Sequence, residues 1–500
     1  MKFSRLFIKK SVKTIQAESM SSSLKRTLGK WNLLSLGIGC IIGAGIFVMT
    51  GTAAAAHAGP AIILSFVIAG GACAFAGLCY AELASVLPVS GSAYTYAYAT
   101  MGEVFAWVMG WLLVLEYGIS DAAVAVGWSG YLVSFLKDFG VIVPPHLTMP
   151  PGEFATLADG TKVPGMFNLP AFCGIMLVTA LLVTGVSESA RVNNIIVAIK
   201  VSVIVAFIAI GVFYIDPTNW QPFIPENTGK DGEYGMSGVL RGASIIFFAY
   251  IGFEAVSTAA QEAKDPQRDM PFGIIGSLLV CTVLYMLVSA VLTGVVHYSE
   301  LKVPDPMAVA VDHIGLGWFS FIIKIGAITG LSSVMLVLLY GQTRIFYTMA
   351  RDGLLPQAFC KVHSKFHTPW INTIVVGIVV ALSAALTPIQ QLGDLTSLGT
   401  LAAFTIVCMS TLYLRWKEPN LERPFKVPFY PITPVLGMLS CGYLIAQLPM
   451  TSFIQLKFFF LLGALIYIFY GYRKSRLAHE MNPRKGDATF VKEPHEKRTD

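Results

Sequence analysis

The chain has 500 residues, 55% of them hydrophobic and 13% charged, with a mean hydropathy of +0.66. A soluble protein of this length needs more charged surface than that, so the composition argues for a membrane protein. The formal net charge of +6 raises an anionic partner as a question, but the basic residues gather at the two ends of the chain, and nucleic-acid binding is not needed to explain them.

One spanning helix takes about 20 predominantly apolar residues. The pattern predicts about twelve of them, at 31–57, 60–86, 103–135, 169–187, 191–214, 238–262, 271–297, 317–347, 370–387, 392–414, 429–449 and 453–472. Long uninterrupted apolar runs indicate helices, whereas barrel strands would be short and alternating. The first thirty residues are basic and mixed, with Lys2, Arg5, Lys9, Lys10, Lys13, Lys25, Arg26 and Lys30. The apolar segment after them is too long for a signal peptide and lacks a small-residue cleavage site, so it is expected to stay as an anchor. An even number of spans puts both termini on one side, which the positive-inside rule makes cytoplasmic. Loops predicted inside carry Arg191, Lys264, Arg268, Arg344, Arg351, Lys361, Lys365, Arg415, Lys417, Arg423 and Lys426; those predicted outside carry little beyond Lys137, Lys162, Lys230, Lys302 and Lys457.

The longest loop, 136–168, has the turn chemistry of Pro144-Pro145, Pro150-Pro151, Gly152, Gly160 and Pro164. The eight cysteines lie mostly inside spans and form no CxxC pair; such cysteines act as small hydrophobes, and neither disulfides nor a metal site is expected. Residues 1–30 read as a cytoplasmic segment, 31–472 as one transmembrane domain, and 473–500 as a charged, disordered cytoplasmic tail.

Two spans break the rules for a plain helix. The first reads Gly37-Ile38-Gly39-Cys40-Ile41-Ile42-Gly43-Ala44-Gly45-Ile46-Phe47, with four glycines in nine residues. Gly39 and Gly43 alone make the GxxxG spacing of close helix packing. The sixth reads Phe247-Phe248-Ala249-Tyr250-Ile251-Gly252-Phe253-Glu254, where a glycine and a carboxylate interrupt an apolar run at a depth where a charge is costly. Spans one and six hold corresponding places in two five-span units, about 31–214 and 238–414. A unit with an odd number of spans is inverted on its second pass, and paired interruptions of this kind point to a transporter site. The predicted fold is all-α with a 5+5 inverted repeat, discontinuous helices one and six, and two extra helices at 429–472. Unwinding at Gly43-Ala44-Gly45 would free backbone N–H groups at a positive helix end, which attract a carboxylate. Carbonyls freed near Ile251 suit an ammonium. Together they describe a site for an α-amino acid.

The stretch IGCIIGAGIF at 38–47 resembles the first-helix signature of the amino acid–polyamine–organocation superfamily of permeases. YAELASVLPVSGSAYTYAY at 80–98, FFAYIGFEAVSTAAQEAKDPQRDMP at 247–271 and GQTRIFYTMARDGLLP at 341–356 resemble the same superfamily, in the expected order over roughly residues 25–475. LEYGIS at 115–120 and RPFKVPFYPITP at 423–434 are similar to its cationic amino acid transporter branch and that branch's bacterial homologues. The resemblance implies that substrate carboxylate meets backbone N–H groups of Ala44 and Gly45 beside Gly43. It implies that the amine meets carbonyls of Ile41, Phe248 and Ile251, with Ala249 between them, and that the Phe248 ring closes the pocket from outside. Proton-coupled relatives place a lysine of span five between spans one and eight, and NNIIVAIKV at 193–201 puts Lys200 there.

Lys200 lies about nine residues into span five, roughly 14 Å along the helix, deeper than snorkelling reaches. A lysine there can bind and release a proton during a transport cycle. Glu116 in span three is read equally as a structural partner for another helix and as a pocket group, and the family branch places a glutamate there. Glu82 and Glu254 read as gate or packing groups. Arg344, Arg351 and Asp352 read as solvated loop charges, as do His363 and His367 despite their i, i+4 spacing.

No HExxH, GxSxG or P-loop occurs, so no enzyme and no cofactor are expected. The expected function is secondary active import of amino acids by proton symport and alternating access, in the cell membrane, with amino acid, protons and the bilayer as partners. An exchanger, a facilitative cationic amino acid carrier and a membrane amino acid sensor are the alternatives. A neutral or broad substrate range is favoured over a cationic one.

Overall fold

In hydrocarbon every backbone polar group must find its partner within the protein, which leaves helices as the natural spanning element for this composition. The computed structural model describes residues 7–11, 26–88, 91–156, 162–185 and 190–481. Lys2, Arg5, Lys13, Lys25, Gly160 and the tail beyond 481 lie outside the described residues. Among the described residues the chain is all-α apart from one antiparallel ribbon, β1 (Phe154–Thr156) with β2 (Lys162–Pro164), in which Ala155 pairs with Val163. This ribbon sits in the loop read from sequence only as turns.

The helices, in chain order, are α1 (Lys30–Ile41), α2 (Ile62–Val86), α3 (Ser92–Thr100), α4 (Glu103–Leu113), α5 (Ser120–Asp138), α6 (Leu169–Thr184), α7 (Ala190–Gly211) and α8 (Gly235–Ile246). They continue with α9 (Pro266–Val295), α10 (Pro306–His313), α11 (Gly317–Arg351), α12 (Trp370–Leu386), α13 (Ile389–Lys417), α14 (Ile432–Ala446) and α15 (Met450–Ile466). Among the described residues eight helical stretches are long and apolar enough to cross a membrane, and α6, α12 and α14 are shorter apolar helices. The twelve apolar windows and the eight long helices differ for a physical reason. The first window is split by a break after Ile41, and α6, α12 and α14 have only 16, 17 and 15 residues, about 25 Å at 1.5 Å per residue.

α9 lies along both α2 and α1, α11 along α5, α12 along α6, and α14 along α13. Small residues let these axes approach: at Gly37 a Cβ would meet Ser277 Oγ at 2.5 Å, and at Gly273 it would meet Leu33 Cβ at 3.0 Å.

Two helices stop short in the interior. α1 ends at Ile41, and Ile42 leaves the helix with ψ 94°; the chain resumes as a π turn, Gly45–Met49. α8 ends at Ile246, a 3-10 turn covers Phe247–Tyr250, and Ile251 is extended with ψ 137°. Gly252 follows at φ +115°, where a side chain is strained, and a Cβ there would also meet the carbonyl carbon of Cys40 at 2.8 Å. The two interruptions therefore touch each other. Another π turn, Val114–Ile119, separates α4 from α5 and carries Glu116; such turns re-aim side chains within an otherwise regular helix.

The described segments 7–11 and 475–481 dock at one end of the helices. Glu103 N donates to Ile8 O at 3.0 Å, Arg476 N donates to Asp352 O at 3.0 Å, and Lys10 Nζ donates to Asp352 Oδ1 at 2.6 Å. The buried Glu103 carboxylate accepts from Tyr98 at 2.9 Å and Tyr467 at 3.0 Å, and also from the Ser475 hydroxyl. Asp352 thus corrects its reading as a solvated loop charge: it also accepts from the Tyr94 hydroxyl at 2.8 Å, because the terminal segment folds back over it. Arg344 and Arg351 are exposed, as read, but they lie on the last turns of α11 rather than in a loop.

Candidate functional site

The break in α1 creates the start of a new helix in the interior, and the first turn of a helix leaves its N–H groups without intrahelical partners. A small cavity lies against that start, with room for about one water, roughly 10 Å³ of space for its centre. Its walls come from four elements. Cys40, Ile41, Gly43, Ala44 and Gly45 form the first break; Phe248 and Ile251 form the second; Ser120 and Val124 come from α5, and Val334 and Leu338 from α11. Six of the residues singled out from the sequence, Ile41, Gly43, Ala44, Gly45, Phe248 and Ile251, meet here. Ala249 and Glu116 are not on the wall.

Gly45 packs directly on Ala249, so any Cβ would collide with it. The two breaks are pinned by a residue that sequence reasoning missed. The fully buried Tyr285 of α9 directs its hydroxyl to Ile41 O at 2.7 Å and Ala249 O at 3.0 Å. The signal was a lone phenol in the middle of an apolar span, and tyrosine is too common in such spans to single out. Tyr131 of α5 donates to Phe47 O at 2.8 Å, past the first break. On the α11 side the wall is made by Val334 and Leu338, one helical turn apart.

Lys200 of α7 is fully buried. Its Nζ donates to Gly39 O at 2.9 Å and Ile42 O at 3.3 Å, at the end of α1. A Cβ at Gly330 of α11 would meet Lys200 Cγ at 3.1 Å, so the lysine lies between α1 and α11. Its ammonium supplies donors to carbonyls that the interrupted helix leaves open.

Glu116 is fully buried and stands beside the Glu254 carboxyl. Glu254 folds back on the second break, its carboxylate accepting from Gly252 N at 2.9 and 3.1 Å. It therefore caps the broken backbone. Glu82, near the end of α2, accepts from Arg415 Nε at 2.8 Å and Val427 N at 2.7 Å, with Arg423 Nε at 3.4 Å. That cluster ties α2 to α13 at the end where the termini dock. His363 keeps a loop position, its ring accepting from Lys365 N at 3.1 Å.

Chemically, the cavity presents backbone N–H groups, backbone carbonyls, one hydroxyl, one thiol and aliphatic walls, with no charged side chain among its lining residues. Residues 28–470 match the model of a family described as amino acid permease. The chain is 46% identical over 474 residues to the methylthioribose transporter of Bacillus subtilis (strain 168), covering 95% of this chain and 99% of that protein. It is 47% identical over 474 residues to the branched-chain amino acid permease BcaP of the same organism, covering 94% and 99%. It is 40% identical over 401 residues to the vacuolar cationic amino acid transporter 4 of Arabidopsis thaliana, covering 79% of this chain and 64% of that one.

Proposed function

The chain belongs to the amino acid permease family, and from that premise we propose that it imports neutral amino acids with aliphatic side chains by proton symport. The observation that carries the substrate class is the wall of the cavity. Backbone groups of the two breaks suit the carboxylate and ammonium of any α-amino acid, whereas the side-chain end meets Val124, Val334 and Leu338. A guanidinium or ammonium side chain would find no carboxylate on that wall, since Glu116 is not among its lining residues. A methylthioribose molecule has neither carboxylate nor ammonium, so its neutral hydroxyls would forgo the charge-assisted bonds that the two breaks can make. The 47% identity to a branched-chain amino acid permease supports the same choice.

Ala44 and Gly45 hold the carboxylate, with Gly43 leaving room for it. Ile41, Phe248 and Ile251 offer carbonyls to the amine, Ala249 keeps the second break against Gly45, and the Phe248 ring shuts the outer side. Glu116 backs the site through Glu254. Lys200 couples the proton: in its charged form it bonds Gly39 and Ile42 and holds α1 in place, and on losing a proton it gives up charge-assisted bonds and lets α1 move. Twelve spans in two inverted five-span repeats with two more, alternating access around the breaks, and both termini in the cytoplasm complete the reading.

The test is uptake of labelled leucine, arginine and methylthioribose into proteoliposomes holding the purified protein, with the outside more acidic. Saturable leucine uptake that collapses with a protonophore and is weakly inhibited by arginine is the expected result. Preferred uptake of methylthioribose would overturn the substrate. Lys200→Met is expected to abolish gradient-driven accumulation while leaving leucine exchange at equal pH measurable. Full pH-dependent accumulation by that variant would remove Lys200 from its role.

A further inference from the structure

A second cavity, far larger than the cradle, opens at the opposite end of the molecule from the docked termini. The 36-residue stretch Glu103–Asp138 shows the polarity: Glu103 meets the N-terminal segment, whereas Lys137, at the other end, lines this chamber. Its volume is about 900 Å³, at the upper end of the roughly 300–1,000 Å³ typical of ligand sites. Val48, Val126 and Gly127 belong to its lining. Val48 is three residues beyond Gly45 in the same π turn, and Val126 and Gly127 follow Val124 of the cradle along α5. At Gly127 a Cβ would meet Val48 Cγ2 at 2.7 Å, so Val48 packs tightly on α5 at the wall of the chamber, next to the residues of the cradle.

The rim carries both signs of charge. Lys137, Lys162 and Glu153 lie on the α5 and ribbon side; Lys302, Asp305 and Asp312 lie on the segment that leads into and forms α10. The acids are not all matched by full ion pairs within the protein. Burial pushes the Glu153 carboxyl above its usual range, with Lys302 opposing. Burial pushes Asp305 up as well, against the Ser134 hydroxyl and Lys324, and Lys324 is itself bonded to Asp138 at 2.7 and 2.9 Å. Asp305 begins α10 without its side chain capping the helix; its carboxylate is held by the Ser134 hydroxyl and its own backbone N–H, with no full ion pair of its own.

We propose that this chamber is a second binding station for a zwitterionic amino acid, in series with the cradle, and this rests on the reading of the protein as an amino acid permease. The lysines take the carboxylate, and Asp305 with Glu153 takes the ammonium. Charge of both signs favours a zwitterion over a molecule of net charge, because neither end meets only repulsion. The cradle has room for about one water in this conformation, so an amino acid arriving from this side waits in the chamber until the cradle opens. Lys137 and Lys162 are exposed, so removing their charge leaves the helix packing untouched.

The experiment is equilibrium binding of labelled leucine to the protein in lipid nanodiscs, taken to saturation, for wild type, Lys137→Gln/Lys162→Gln and Gly45→Val. Two leucines per protein are expected for wild type. About one is expected for the double lysine variant, held at the cradle, and about one for Gly45→Val, held in the chamber and released by high salt. One leucine per wild-type protein, unchanged by the lysine substitutions, would overturn the chamber as a station and leave the permease reading intact. No saturable binding of leucine by any form would overturn both. The same lysine variant is expected to raise KM for leucine uptake at least about threefold with little change in maximal rate, because a loading station acts on capture rather than on the later steps; an unchanged KM would count against it.

Discussion

Tyr285 shows how one hydroxyl can hold two broken helices. It has a single proton to donate and two carbonyls within reach, Ile41 O and Ala249 O, so either break can lose its donor without the phenol moving far. The Tyr285→Phe variant leaves both oxygens without it inside an apolar interior. We expect a loss of about 1–3 kcal/mol, the penalty of a buried unsatisfied polar group. It should appear as a lower unfolding temperature in detergent together with weaker leucine uptake. Wild-type stability in that variant would mean that water or another donor already serves these carbonyls. The residue-level reading of the sequence singled out residues whose chemistry is unusual for their depth, glycines at 43 and 45, a carboxylate at 254 and a lysine at 200, and all of them are buried at or beside the two breaks. It missed Tyr285, Ser120 and Val124 because one-dimensional patterning cannot say which face of a regular apolar helix meets the cavity. Glu254 was legible as a misplaced charge, but its use, accepting from Gly252 N, depends on a backbone turn that no side-chain pattern announces.

At the scale of elements, α8 is tied to α13 by a buried ion pair. Arg241 Nη2 donates to both oxygens of Asp394 at 2.8 Å, and the side chains are 9% and 6% exposed. Removing one partner strands a charge in a dry interior, at about 3–5 kcal/mol, whereas removing both with apolar residues of similar size is often close to neutral. Arg241→Met and Asp394→Leu are each expected to destabilise the protein in a thermal assay more than the double variant does. A double variant no better than the worse single would show that the pair is not the unit. Element existence was readable from hydropathy because each long apolar run has to be helical in a bilayer. Element boundaries were less so: the glycines of window 31–57 announced an interruption near Gly43, but not that α1 stops at Ile41 or that a π turn follows, since an apolar run looks the same whether or not its hydrogen bonds are continuous. The β1–β2 ribbon escaped for the opposite reason, being three residues to a strand within a loop rich in proline and glycine.

For the whole molecule, sidedness is the open quantity that charge patterning addresses. In a background with Cys173 and Cys360 changed to serine, the two free cysteines that are not buried, Lys162→Cys is expected to react with a membrane-impermeant maleimide in intact cells. Lys474→Cys should react only after permeabilisation. The reverse pattern would turn the protein over in the membrane and make the chamber face the cytoplasm. Whatever its orientation, the cradle's 10 Å³ has an energetic corollary. A leucine cannot enter until Phe248, Val334 or their neighbours withdraw, so only the fraction of molecules that has opened is competent to bind. The apparent dissociation constant is the intrinsic one divided by that fraction. If about one molecule in a hundred is open, affinity falls about a hundredfold, some 2.7 kcal/mol. Substitutions that prop the cradle apart would then tighten equilibrium binding while slowing turnover, so the strongest binder in a panel of variants would be a poor carrier.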